Sequence, residues 1–157
     1  MNQHEQYGRM LSAYAGAIDD AISGVVDCLE GLGQEQLNWR PEAPGANSLW
    51  VLAVHSIANA EQAVLAILGG APDTRDREAE FAAHGSSPEA ARTQWEVARQ
   101  ELRAAIAKLS PADLEREHTH PRRGVMTGHQ LLLLVIGHAS EHRGHAGLTR
   151  DLLLARS

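Results

Sequence analysis

Four long stretches carry an apolar residue every three or four positions, and glycine or proline stops separate them. No run of alternating apolar and polar residues is convincing as a strand. Together these observations predict an all-α fold, a four-helix bundle with a long central crossover connection. The 157 residues suit a single domain spanning 1–157.

Tyr7, Leu11, Tyr14, Ile18, Ile22, Val25, Leu29 and Leu32 place the first helix over roughly residues 3–32, with Gly31 and Gly33 as its stop. A loop with one short turn follows, rich in proline and glycine. Asn47 or Ser48 caps a second helix that runs to about Leu68, where Gly69, Gly70 and Pro72 end it. The polar stretch from Gly70 to Ser86 holds Asp73, Arg75, Asp76 and Arg77 and is long for a bundle connection. It reads as a crossover along the bundle, or as a loop that shapes a site.

Ser87, Pro88 and Glu89 start the third helix with a cap, a first-position proline and an acid in the first turn. Its buried stripe is Ala91, Trp95, Ala98, Leu102, Ala105, Ile106 and Leu109. Ser110 and Pro111 open a short turn, and a charged loop bearing His118 and His120 leads to Gly124. Thr127 and Gln130 form a capping box for the fourth helix, which runs to about Leu154. Leu32 and Leu37 flank a turn after helix one as Leu109 and Leu114 do after helix three, so the chain reads as two helix pairs of similar design.

The chain is 43% apolar and only 4% aromatic, so its core rests on Ala, Leu, Ile and Val. A net charge of −6 argues against nucleic acid as a partner, because phosphate calls for a positive field. Apolar runs such as Leu131 to Ile136 fall short of a membrane span, and no basic-then-apolar leader opens the chain. The expectation is a soluble protein of the cytoplasm. One cysteine, Cys28, excludes an intramolecular disulfide; it reads as a small buried hydrophobe.

The histidines are the unusual feature, nine in all, five of them between His118 and His142. On helix four the run GHASEHRGH puts His138, His142 and His145 within about 60° of one another, in line with Leu131, Leu134 and Val135. His55, in WVLAVHSIANAE on helix two, has apolar neighbours on nearly every side. His55 lies about as far from the end of its helix as His138 and His142 lie from the start of theirs, so antiparallel packing brings the three level. Buried imidazoles need hydrogen-bond partners or a metal, and a Leu/Ala/Val core offers few partners. On the residues alone both readings stand: hydrogen-bonded core histidines, or a three-histidine site suited to zinc or nickel.

Along NWRPEAPGANSLWVLAVHSIANAE, VMTGHQLLLLVIGHASEHRGH and the spacing between them, the chain resembles the DinB/YfiT-like superfamily of metal-binding four-helix bundles. The resemblance implies metal ligation by a histidine on helix two and a pair four apart on helix four before an Arg-Gly step. Those positions are His55, His138 and His142, followed by Arg143 and Gly144. Some relatives, mycothiol-dependent maleylpyruvate isomerase among them, use glutamate at the position of His138, and this chain departs from them there. Others carry glutamine at the position of His145, which makes His145 a neighbour of the site.

What the resemblance implies is a divalent-metal-dependent enzyme. Its metal, zinc or nickel, would activate a low-molecular-weight thiol such as mycothiol, bacillithiol or glutathione for S-transfer to an electrophile or for isomerisation. Homodimers are common among the relatives. A hydrolase using metal-activated water is the enzymatic alternative; a non-catalytic, metal-stabilised, stress-related binding module with His145 as fourth ligand is the other. Asn59, one turn beyond His55, reads as a bundle-edge residue or as one that orients a ligand. Arg143 reads as a surface ion pair or an anion contact, and His118, His120 and His129 read as solvated loop histidines.

Overall fold

The computed structural model describes residues 2–156. Its long helices are α1 (Gln3–Asp27), α3 (Leu49–Glu61), α5 (Pro88–Ile106) and α7 (Gly128–Leu154). Three short helices join them: α2 (Gln34–Asn38), α4 (Arg77–Ala82) and α6 (Pro111–Glu115). Tyr7 bonds the carbonyl of Leu109 and Ser23 bonds Trp95, so α1 and α5 run antiparallel. Arg150 near the end of α7 bonds the carbonyl of Cys28 just past α1, so α1 and α7 run parallel. The end of the α3 segment packs near the start of α7 and near the end of α5. The bundle is therefore up-down-down-up, and the connection between α3 and α5 crosses its full length, as expected.

Ser48, Ser87 and Thr127 cap α3, α5 and α7 with side-chain oxygens, satisfying N–H groups that a helix start leaves unpaired. Ile22, Val25, Ile57, Leu102, Leu131 and Leu132 belong to one fully buried core. Each such side chain contributes roughly 1.5–3 kcal/mol on burial. The paired design after α1 and α5 is present: α2 and α6 are both five residues long, and each sinks a leucine, Leu37 and Leu114, completely. Leu49–Leu68 is long and apolar enough, by length and composition, to cross a membrane, and 67% of its most apolar 18-residue window is buried inside the bundle.

Four expectations need correction. Helix one ends at Asp27 rather than near residue 32, because Cys28–Gly31 form a turn closed by Gly31 at φ 75°. The second helix reaches Leu68, but from Gln62 onward it is π-helical, with the amide of Gly69 bonding the carbonyl of Val64. The stretch 70–86 is not all loop, since Asp76 caps α4 within it.

Finally, the charged loop before α7 holds a hairpin, β1 (Glu117–His120) with β2 (Gly124–Thr127), in antiparallel register from Glu117–Thr127 to His120–Gly124. Pro121, Arg122 and Arg123 make its three-residue turn, and Gly124 at φ 78° takes the left-handed position such a turn demands. Along β1 the odd positions face solvent while His118 and His120 are buried, so these two are not solvated loop histidines.

Candidate metal centre

His55 sits on the second turn of α3, and His138 and His142 sit one turn apart on α7. Antiparallel docking of the two helices aims all three rings at one point. Nε2 of His138 lies 3.1 Å from Nε2 of His55 and 3.1 Å from Nε2 of His142. One ligand atom from each residue falls within 4.8 Å of the others, so the group could hold a metal ion. The rings of His138 and His142 meet edge-on, with centroids 4.4 Å apart.

Glu80, on the inner face of α4, is 5% exposed and orients this group. Its Oε2 accepts a hydrogen bond from Nδ1 of His55 at 2.6 Å, and Arg75 Nε donates to its Oε1 at 2.7 Å. Arg75 also donates to Gln62 Oε1, and Gln62 donates to Asp73. Burial alone would raise the Glu80 pKa, but the hydrogen bonds and charges of His55 and Arg75 outweigh it and hold the carboxyl at about 2. An ionised Glu80 accepts only, so His55 carries its proton on Nδ1 and turns the Nε2 lone pair towards His138.

The remaining ring nitrogens of the cluster fit a cation. Nε2 of His138 has one proton at most to share between two neighbours at 3.1 Å, and Nδ1 of His138 and of His142 is buried with no partner. The polar contacts of these two rings are with other histidines of the cluster alone among the described residues. Burial, then the charges of nearby histidines and arginines, pushes His138 down to about 3; burial and neighbouring histidines push His142 to about 4. Both are neutral near pH 7, the state in which imidazole ligates. Three imidazole nitrogens converging on one point, two of them neutral near pH 7, fit a borderline divalent ion such as zinc or nickel.

His55 and His138 also form one wall of a cavity of about 290 Å³. Asn59 lines it, 8% exposed, and its buried Oδ1 has no hydrogen-bond partner. His120 lines it from β1, a position its loop-like sequence context did not reveal. Its Nδ1 accepts from the backbone N–H of Arg122 at 3.1 Å. Burial and then the charges of Arg123, Arg75 and Arg122 lower its pKa.

The other residues singled out lie apart from the cluster. His145 is exposed, its ring 5.6 Å from that of His142, and it is not among the converging three. Arg143 lies across Gly24 and pairs with no carboxylate among the described residues. His129 bonds the Tyr14 hydroxyl at 3.0 Å, and His118 donates to the carbonyl of Asp113. Cys28 donates to the carbonyl of Gly24, and burial raises its pKa, so it is no activated thiol.

Fold and cluster together fit a metal-binding protein of the helical-bundle class. Residues 17–146 match the family model of the DinB superfamily, and the chain belongs to that superfamily. Its structure is similar to the crystal structure of a DinB-like protein from Bacillus cereus, with a TM-score of 0.65. That likeness covers 84% of this chain and 85% of the other at 20% identity, and it shows the shared fold. No protein of curated function matches the sequence.

Proposed function

We propose that this protein is a metal-dependent enzyme in which His55, His138 and His142 hold a divalent ion, zinc or nickel, for the activation of a low-molecular-weight thiol in S-transfer or isomerisation. The observation that carries the reading is the convergence of three Nε2 atoms beside an open cavity, with His55 locked in tautomer by Glu80. Bound there, the ion would supply Lewis acidity, lowering the pKa of a thiol or water that reaches it.

The chain's own residues do the rest. Glu80 holds the proton at Nδ1 of His55 and keeps that ring from rotating. Arg75 keeps Glu80 ionised and fixes the strap that carries it. The cavity admits the small molecule on the side of His55 and His138. A closed four-ligand site, the non-catalytic alternative, gains no support from an exposed His145. The thiol, the electrophile, a homodimeric state and a cytoplasmic location belong to the same proposal.

The test is metal content by plasma mass spectrometry on untagged protein purified without added metal, with His55→Ala alongside. About one divalent ion per chain, absent in the variant, supports the centre and directs a screen of thiols against electrophiles. No metal in folded wild-type protein, even after incubation with zinc or nickel, overturns it. A loaded protein that turns over no thiol overturns the enzymatic part alone.

A further inference from the structure

The chain carries a net charge of −6, yet four arginines line the cavity beside the histidine cluster: Arg75, Arg77, Arg122 and Arg123. Arg75 is neutralised by Glu80. The other three make no ion pair or side-chain hydrogen bond with the described residues. Arg77 rests its guanidinium over the Phe81 ring at 4.6 Å, while Arg122 and Arg123 occupy the turn of the hairpin. Since Nδ1 of His120 accepts from the Arg122 amide, neutral His120 carries its proton on Nε2 and adds a further donor. Asn59, nine-tenths buried, also lines the cavity, with an Oδ1 that accepts from no partner.

We propose that this cavity is an anion-binding subsite: the small-molecule substrate carries a carboxylate or phosphate group that docks on Arg77, Arg122 and Arg123 and lies beside His55 and His138. As a part of an active site the proposal rests on the metal-centre reading above; as an anion site it is measured without the metal. Three unpaired guanidinium groups offer forked donors of the shape that planar carboxylates and phosphates accept. A cavity of about 290 Å³ limits the ligand to a small molecule. The two arms of the bundle wall divide the labour, with the histidines at the reacting end and the hairpin at the charged end.

The hairpin also explains why two of the arginines lie at the cavity. His120 and Gly124 pair across the turn, and Gly124 at φ 78° tightens it. Two consecutive arginines at such a tip are held beside the cavity by backbone that is itself pinned through buried His118 and His120.

The experiment is titration calorimetry of the chelator-treated, full-length protein at neutral pH with succinate, with inorganic phosphate and with succinamide as the uncharged control. Saturable binding of succinate or phosphate, absent for succinamide and weaker at higher salt, supports the proposal, and the anion that binds identifies the group. Arg122→Ala with Arg123→Ala should weaken that binding at least about tenfold, and Arg77→Ala, on a separate element, should weaken it too. No binding of either anion to wild-type protein, or equal binding by the variants, overturns it. Metal content, measured on portions of the same preparations taken before chelation, separates the two readings: loss of anion binding in preparations that held full metal touches only the subsite, and preparations that held no metal but bind the anion touch only the centre.

Discussion

Glu80 and His55 are 25 residues apart in the chain, and their side chains meet at 2.6 Å in the interior. The carboxylate arrives on the crossover between α3 and α5, so the same connection that gives the bundle its topology also sets the tautomer of one candidate ligand. A shift of α4 by one turn would leave a buried imidazole and a buried carboxylate without each other.

Replacing Glu80 by glutamine keeps the shape and removes the charge. The expected outcome is a metal affinity about 10–100-fold weaker than wild type, with far-ultraviolet circular dichroism unchanged. Competition against a zinc chelator reads this directly, and an unaltered affinity would remove Glu80 from the centre.

His145→Gln is expected to retain the full metal stoichiometry of the wild type, because His145 stands outside the converging set. Metal loss in this variant, measured by plasma mass spectrometry, would restore the four-ligand alternative.

The metal-free protein should lose stability as pH falls below about 6.5. The ordinary histidine value near 6.5 holds in the unfolded chain. His138 and His142 are depressed to about 3 and about 4 in the folded state, so between those values and 6.5 the unfolded chain binds more protons. Their contribution is complete above about pH 6.5 and is withdrawn on acidification. Glu80, held at about 2, adds a further loss between its ordinary carboxylate range and pH 2. Thermal melts of chelator-treated protein across pH 4–8 check the sign, and a flat or inverted profile contradicts it.

Gly85→Ala should destabilise the fold by about 1–3 kcal/mol, since a Cβ there would run into the buried ring of Trp50. Urea unfolding measures this, and metal content should stay unchanged because Gly85 touches none of the three histidines.

The histidine trio was legible in the sequence for a definite reason. A four-residue spacing puts His138 and His142 on one face whatever the surroundings, and helix lengths alone bring His55 level with them in an antiparallel pair. Glu80 carried no such signal. Asp73, Asp76, Glu78 and Glu80 all lie in one polar stretch, and which of them turns inward depends on how α4 lies across α3, a tertiary matter. The hairpin was missed because strands of four residues give only two turns of alternation, too few to stand out beside charged neighbours. The π-helical stretch Gln62–Leu68 is apolar enough to fit either helical period.

The up-down-down-up order also bears on how a bound ion would change the protein's lifetime. His55 and His138 are 83 residues apart, and their meeting requires α3 to dock on α7 after the strap has been laid down between them. If these contacts close after the folding barrier, an ion seated there would stabilise the native state and add little at the barrier. Metal supply would then leave the rate of folding nearly untouched and lengthen the time each folded copy survives. A cell short of the ion would make the protein as fast and lose it sooner.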